Sequence, residues 1–139
     1  SRMVDKIKNG LDGKLAGKTA AVFGVTFKPN TDDMREATSL KIIPELLNSG
    51  MHVKVVDPQG YKEGRDLLHG VEWIEDCYEA SKNTDIIIIL TEWNEFRALN
   101  LRKLSGLMKT KILIDLRNIY TRDQVLKEGF EKYVSIGRL

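Results

Sequence analysis

The chain has 139 residues, of which 42% are hydrophobic and 30% are charged, and its net charge is +2. This length predicts one domain with an ordinary core, and the longest aliphatic run, residues 86–90, is far too short to cross a bilayer. Because the net charge is small and basic residues are spread among acidic ones, we expect neither a nucleic-acid partner nor a membrane partner.

The first residues of the chain differ in pattern from the rest. Apolar residues between positions 3 and 16 recur at roughly helical spacing, but Gly10 and Gly13 interrupt them. We interpret residues 1–17 as the end of a preceding helical region or a linker, and residues 18–139 as the domain. No cleavable signal is visible at the N-terminus.

From residue 19 onward, the sequence alternates between strands and helices. The four consecutive isoleucines 86–89 indicate a strand that is buried on both faces. Pro44 lies inside a predicted helix, which it should kink or leave with an unpaired carbonyl. The alternation predicts an α/β fold, a Rossmann-like, doubly wound, mostly parallel sheet with helices on both faces. Strands are predicted at 19–25, 51–56, 71–74, 85–90, 111–115 and 130–135, and helices at 38–49, 76–82, within 94–107 and at 121–128.

A charged loop follows the first predicted strand and holds Lys28, Asp32, Asp33 and Arg35. In an open α/β sheet the ligand binds at the carboxyl ends of the strands. Two cations at that position suit an anionic ligand such as a nucleotide diphosphate. The two aspartates either cap the next helix or orient the cations. These residues by themselves leave Lys28 open between ligand binding and an ordinary solvated lysine.

Two further loops are expected at the same edge of the sheet. Arg117 comes just after the predicted strand 111–115, and Trp93 comes after the isoleucine strand. Because the carboxyl ends of parallel strands share one edge, both should lie near Lys28. Trp93 either packs in the core or lines a cleft.

The first strand is not followed by a glycine-rich turn. A dinucleotide-binding fold has Gly-x-Gly-x-x-Gly at this position, whereas this chain has Gly24 alone, followed by Val25. The domain is therefore not expected to hold NAD by itself. Asp57, at the end of the second strand, is interpreted as a turn former before Pro58.

The sequence contains no recognisable catalytic group. Its only cysteine, Cys77, has no nearby cation to lower its thiol pKa, and we interpret it as a partly buried helix residue. One cysteine and two separated histidines, His52 and His69, do not form a metal site. A chain without an internal disulfide fits a reducing compartment, so we expect a cytoplasmic protein.

Several motifs in order along the chain resemble one known family. The longest is the string from Phe27 to Glu36, Phe-Lys-Pro-Asn-Thr-Asp-Asp-Met-Arg-Glu. The others are Gly50 before the second strand, Asp57-Pro58, Thr91-Glu92-Trp93, the segment from Asp115 to Asn118, and the ending from Ser135 to Arg138. Together they are similar to the C-terminal nucleotide-sugar-binding domain of the UDP-glucose/GDP-mannose dehydrogenase family, over about residues 14–139.

The resemblance implies an activity of which this chain carries only a part. Enzymes of the family oxidise the C6 alcohol of the sugar to a carboxylate in two NAD-dependent steps. Their N-terminal domain holds NAD, and their central helical region carries the nucleophilic cysteine in a Gly-Gly-x-Cys type motif. This chain has no such motif, and Cys77 should not inherit that role. The chain is therefore expected to be inactive alone. The resemblance also implies that it belongs to a homodimer or larger assembly.

The resemblance also implies roles for four residues. Phe27, Lys28 and Arg117 match positions that contact the UDP-sugar, and Arg35 matches an arginine that approaches NAD. UDP-glucose is the expected substrate and UDP-glucuronate the product. The alternatives are UDP-N-acetyl-mannosamine or GDP-mannose as the substrate, or a stand-alone nucleotide-binding module without enzymatic partner domains.

Overall fold

The computed structural model describes residues 2–25, 39–57, 64 and 68–135. Its helices, in chain order, are α1 (Arg2–Gly10), α2 (Ser39–Asn48), α3 (Cys77–Ser81), α4 (Asn94–Arg97), α5 (Leu101–Leu107) and α6 (Arg122–Lys127). Its strands are β1 (Thr19–Phe23), β2 (His52–Val56), β3 (Glu72–Trp73), β4 (Ile86–Ile89), β5 (Ile112–Asp115) and β6 (Lys132–Ser135).

The six strands form one sheet in the order β3-β2-β1-β4-β5-β6. Every neighbouring pair in this sheet is parallel. This is the strand order of the doubly wound nucleotide-binding fold. The strands β2 and β3 are added on one side of β1 and the strands β4, β5 and β6 on the other, so the order reverses between β1 and β4. The predicted Rossmann-like α/β fold is confirmed, and the sheet is parallel throughout the described strands.

The central strand β4 is buried on both faces, as its isoleucines predict. Ile86 and Ile88 pack into one core, whereas Ile87 and Ile89 pack into the other. Side chains of α1 and α2 cover the first face, and side chains of α3, α4, α5 and α6 cover the second. Alternate residues of a strand point to opposite faces, so a strand with four apolar residues requires helices on both sides.

Helix α1 is packed against the sheet. Val4, Ile7, Leu11 and Leu15 are buried members of the same core as α2. The ammonium of Lys132 at the start of β6 donates to the carbonyl oxygen of residue 10 at 3.1 Å and to a carboxylate oxygen of residue 12 at 3.2 Å. The segment interpreted as a helix end or linker thus contributes to the core of the described domain.

The helix that contains Pro44 and the region 94–107 can both be compared with the sequence prediction. Helix α2 runs continuously from Ser39 to Asn48 with Pro44 inside it. Because proline has no N–H, one backbone hydrogen bond of the helix is missing. Pro44 is exposed, so this bond is missing on the side of the helix that faces water. The region 94–107 contains two helices, because the Asn100 side chain accepts from the Lys103 N–H at 3.1 Å and starts a second helix there.

Candidate functional site

The carboxyl ends of β1, β4 and β5 lie side by side at one edge of the sheet. Phe23 is in register with Ile89, and Ile89 is in register with Asp115, so the three strands end at the same level. We call the residues that follow them, 24–25, 91–93 and 116–118, the rim. Arg117 and the 91–93 loop are on the edge where the sequence places them.

A buried carboxylate shapes the loop that carries Arg117. Asp115 is fully buried, and its oxygens accept from the backbone N–H groups of Arg117 (3.2 Å), Ile119 (3.1 Å) and Tyr120 (2.9 Å). Asn118 adopts a left-handed conformation with φ of 56°, which turns the chain within this loop. A buried carboxylate that accepts several N–H bonds has its hydrogen-bonding capacity well satisfied.

Two tyrosines tie this loop to its neighbours. The hydroxyl of Tyr133 in β6 lies 2.8 Å from both a carboxylate oxygen of Asp115 and the carbonyl oxygen of Tyr120. The hydroxyl of Tyr120 donates to the carbonyl oxygen of Phe96 in α4. Burial, and next the charge of Asp115, raise the pKa of Tyr120 well above its usual range, so this donor keeps its proton. The loop that carries Arg117 is therefore bonded to β6 on one side and to α4 on the other.

Arg117 projects its guanidinium from this anchored backbone to the rim. Its side chain is 31% exposed, and Nη2 donates to Oε1 of Glu92 at 3.1 Å. The second oxygen of Glu92 lies 3.6 Å from Nη2 of Arg97. Taken by themselves, these three side chains carry two positive charges and one negative charge, and a partly exposed guanidinium suits a phosphate oxygen.

The space beside the end of β1 is filled by a threonine. Gly24 has φ of 92°, and a Cβ atom added there would overlap Oγ1 of Thr91 and lie 2.8 Å from its Cβ. The Gly24 N–H donates to the carbonyl of Val56 at 2.7 Å, and the Val25 N–H donates to Asp57 Oδ2 at 2.6 Å. Because these two N–H groups are already used, the described residues after β1 do not form a cradle for a dinucleotide pyrophosphate.

Asp57, beside the rim, and Trp93, within it, have structural roles. Asp57, interpreted as a turn former, also anchors the end of β1 through the Val25 N–H. Trp93, for which the sequence left two alternatives, is only 7% exposed and packs in the core with Phe96 and Ile89. The Trp93 side chain therefore belongs to the core that supports the rim.

Three of the four residues singled out for binding lie outside the described residues. These are Phe27, Lys28 and Arg35, together with the neighbouring Asp32 and Asp33. Arg117 is the one that the structure describes. Sequence reasoning missed Arg97 and the bridging position of Glu92, although a carboxylate and an arginine close together after the central strand were a visible signal.

The described part of the chain holds no group of three or more His, Cys, Asp or Glu residues that could bind a metal ion. Among its helices, none is both long and apolar enough to span a membrane.

Cys77 is the first residue of α3 and is 7% exposed. Burial, followed by the nearby carboxylates of Asp76 and Glu95, raises the pKa of its thiol to about 12. A thiol with such a pKa is almost entirely protonated at neutral pH and is a poor nucleophile.

Sequence comparison assigns the chain to a known family. Residues 21–122 match the family described as UDP-glucose/GDP-mannose dehydrogenase family, UDP binding domain. A UDP-glucose 6-dehydrogenase of Rhizobium meliloti is 46% identical over 133 residues, which cover 96% of this chain and 30% of that protein. UDP-glucose 6-dehydrogenase TuaD of Bacillus subtilis is 40% identical over 137 residues, which cover 98% of this chain and 29% of that protein. The chain thus spans just under a third of the length of these relatives.

Solved structures agree with the sequence match. A UDP-D-ManNAc dehydrogenase from Pyrococcus horikoshii superposes with a TM-score of 0.75 at 28% identity, over 98% of this chain and 29% of that one. A UDP-glucose dehydrogenase from Pyrobaculum islandicum superposes with a TM-score of 0.75 at 26% identity, over 96% of this chain and 28% of that one. These matches confirm the resemblance inferred from the motifs.

The contact between Gly24 and Thr91 predicts a large effect of a small substitution. Gly24→Ala should lower the free energy of unfolding by about 2–4 kcal/mol, since it adds both left-handed strain and a steric overlap. Gly17 also has a positive φ, 79°, but its added Cβ would have no neighbour within 4 Å. Gly17→Ala should therefore cost only the strain, about 1 kcal/mol, in the same denaturant titration. Equal losses for the two variants would contradict the steric role of Thr91.

The raised pKa of Cys77 predicts a specific loss of stability at alkaline pH. Between pH 9.0, the ordinary pKa of the thiol, and about 12, the unfolded chain gives up this proton while the native protein keeps it. The free energy of unfolding should then fall by about 1.4 kcal/mol per pH unit from this group. Denaturant titrations across this range should give a shallower decline for Cys77→Ala than for the unsubstituted chain. Identical slopes would show that the native thiol titrates normally.

Proposed function

The chain belongs to the UDP-glucose/GDP-mannose dehydrogenase family, and on that premise we propose that it is the UDP-sugar-binding domain of a UDP-glucose 6-dehydrogenase. The full-length enzyme would oxidise UDP-glucose to UDP-glucuronate with two NAD. The names of its relatives at 46% and 40% identity support this substrate. UDP-N-acetyl-mannosamine is the nearest alternative, supported by the structural match at 28% identity.

The observation that carries the proposal is the position of Arg117. Its backbone is held by the buried Asp115, its guanidinium is partly exposed, and it lies at the edge of the sheet where ligands of this fold bind. A guanidinium offers a planar pair of donors that matches a phosphate group. We propose that Arg117 contacts the UDP-sugar together with Lys28 and the backbone of Phe27, which follow β1 in the sequence.

We further propose that NAD is held mainly by a part of the enzyme outside this chain. The bonded N–H groups of Gly24 and Val25 support this assignment, because the two residues that the structure describes after β1 already use these donors and do not offer them to a pyrophosphate. Arg35 is proposed to approach NAD from this domain. Residues 1–17 would then be the end of the central region and residues 18–139 the binding domain of a homodimer or larger assembly.

The substrate assignment is tested on the full-length protein that carries this domain. NADH formation is measured with UDP-glucose, UDP-N-acetyl-mannosamine and GDP-mannose at equal concentrations. We expect the highest kcat/KM with UDP-glucose. A preference for either of the other two would keep the family and change the substrate. No turnover with any of the three would favour a stand-alone nucleotide-binding module.

Replacing Arg117 should weaken substrate binding in that enzyme. A hydrogen bond to a charged group contributes about 1.5–3 kcal/mol, so Arg117→Ala should raise the KM for the nucleotide sugar by roughly 10- to 150-fold. Lys28→Ala should have a comparable effect. A suitable control is Arg102→Ala, because this arginine is also paired with a glutamate, Glu128, at 3.0 Å but lies away from the rim. Arg102→Ala should leave KM unchanged, and an unchanged KM in Arg117→Ala would remove that residue from the site.

A further inference from the structure

Glu92 connects two arginines that come from different elements. Its Oε1 accepts from Arg117 in the loop after β5 at 3.1 Å, and its Oε2 lies 3.6 Å from Arg97 at the end of α4. All three side chains are partly exposed, at 39% for Glu92, 31% for Arg117 and 46% for Arg97. A carboxylate in contact with two cations can shift from one to the other by a small side-chain movement.

The backbones of these residues are more constrained than their side chains. The Arg117 N–H is held by Asp115, and the loop that contains it is bonded through Tyr120 to Phe96, the residue before Arg97. Any rearrangement of the three charges is therefore expected in the side chains. Because the Glu92 carboxylate already contacts both guanidiniums, it needs only a small movement to pair with Arg97 alone.

A phosphate that binds Arg117 would meet the negative charge of Glu92. Like charges this close repel each other, and the repulsion is stronger near a protein surface than in bulk water. This repulsion is offset if Glu92 remains paired with a cation other than Arg117. Arg97 is the cation that the structure provides for this purpose.

We propose that Glu92 is an exchangeable counter-ion for Arg117, and that Arg97 is the partner that receives it when a nucleotide diphosphate binds. The inference rests on the proposed function, since it concerns how the same rim takes its ligand. In the empty site, Glu92 neutralises Arg117. In the occupied site, the diphosphate replaces Glu92 on Arg117, and the carboxylate pairs with Arg97. Glu92 and Arg97 are thus positioning residues that do not contact the ligand.

The test is a double-mutant cycle in the full-length enzyme, with UDP as a competitive inhibitor. Arg97→Ala leaves Glu92 with Arg117 as its only guanidinium partner among the described residues. It should raise the inhibition constant of UDP by about two- to fivefold, the range of one exposed ion pair. Glu92→Gln removes the competing charge with little change of shape and should lower that constant by a similar factor. In the double variant, Arg97→Ala should have no further effect.

The cycle distinguishes this mechanism from its alternatives. If Arg97→Ala weakens UDP binding equally in the Glu92→Gln background, Arg97 touches the ligand directly and the proposal fails. If Glu92→Gln weakens binding, the carboxylate holds Arg117 in its binding orientation and the proposal also fails. Arg102→Ala, a control away from the rim, should behave like the unsubstituted enzyme in both backgrounds.

Failure of this inference can be told from failure of the proposed function. A strong effect of Arg117→Ala, combined with additive effects of Glu92→Gln and Arg97→Ala, would overturn the exchange and leave the UDP-binding role intact. A full-length protein that oxidises no nucleotide sugar and is not bound by UDP would overturn both.

Discussion

The rest of the fold depends on the burial of β4 on both faces. Its four isoleucines alternate between two cores, so neither face of the sheet can be left to water. Helices must then cover both sides, and right-handed crossovers bring every strand back in the same direction. For this reason the carboxyl ends of β1, β4 and β5 reach one edge at one level. The rim that carries Arg117 is a consequence of how the apolar centre of the sheet is covered.

The rim combines a constrained backbone with charged side chains that remain partly exposed. Asp115 binds three backbone N–H groups and faces the hydroxyl of Tyr133, which fixes the loop below Arg117. Above it, Arg117, Glu92 and Arg97 form a chain of surface ion pairs. Such pairs each contribute little to stability, so they can be rearranged at low cost. A constrained base with exchangeable charges suits a site that must bind and release an anionic ligand.

In the part of the rim that follows β1, the space and the N–H groups of residues 24–25 are already occupied. Thr91 fills the space above Gly24, and the N–H groups of Gly24 and Val25 are bonded to Val56 and Asp57. In a dinucleotide-binding domain of the same strand order, this position is where backbone donors meet the pyrophosphate. Two domains with the same topology can therefore take different ligands, because the groups that surround the end of β1, here the Val56 carbonyl and the Asp57 carboxylate, decide which backbone donors remain available.

The amino-acid sequence alone determined the alternation of strands and helices, the double burial of residues 86–89 and the position of Arg117 after a strand, since each follows from local periodicity. It also carried the motifs that identify the family. Three contacts became visible only in the folded chain: apolar residues between 4 and 15 pack into the core, Asp57 anchors β1, and Glu92 joins Arg117 to Arg97. Those contacts join residues that are distant along the chain or lie on different elements. Local patterns do not encode them, because side-chain partners across the sheet edge are set by how the elements pack.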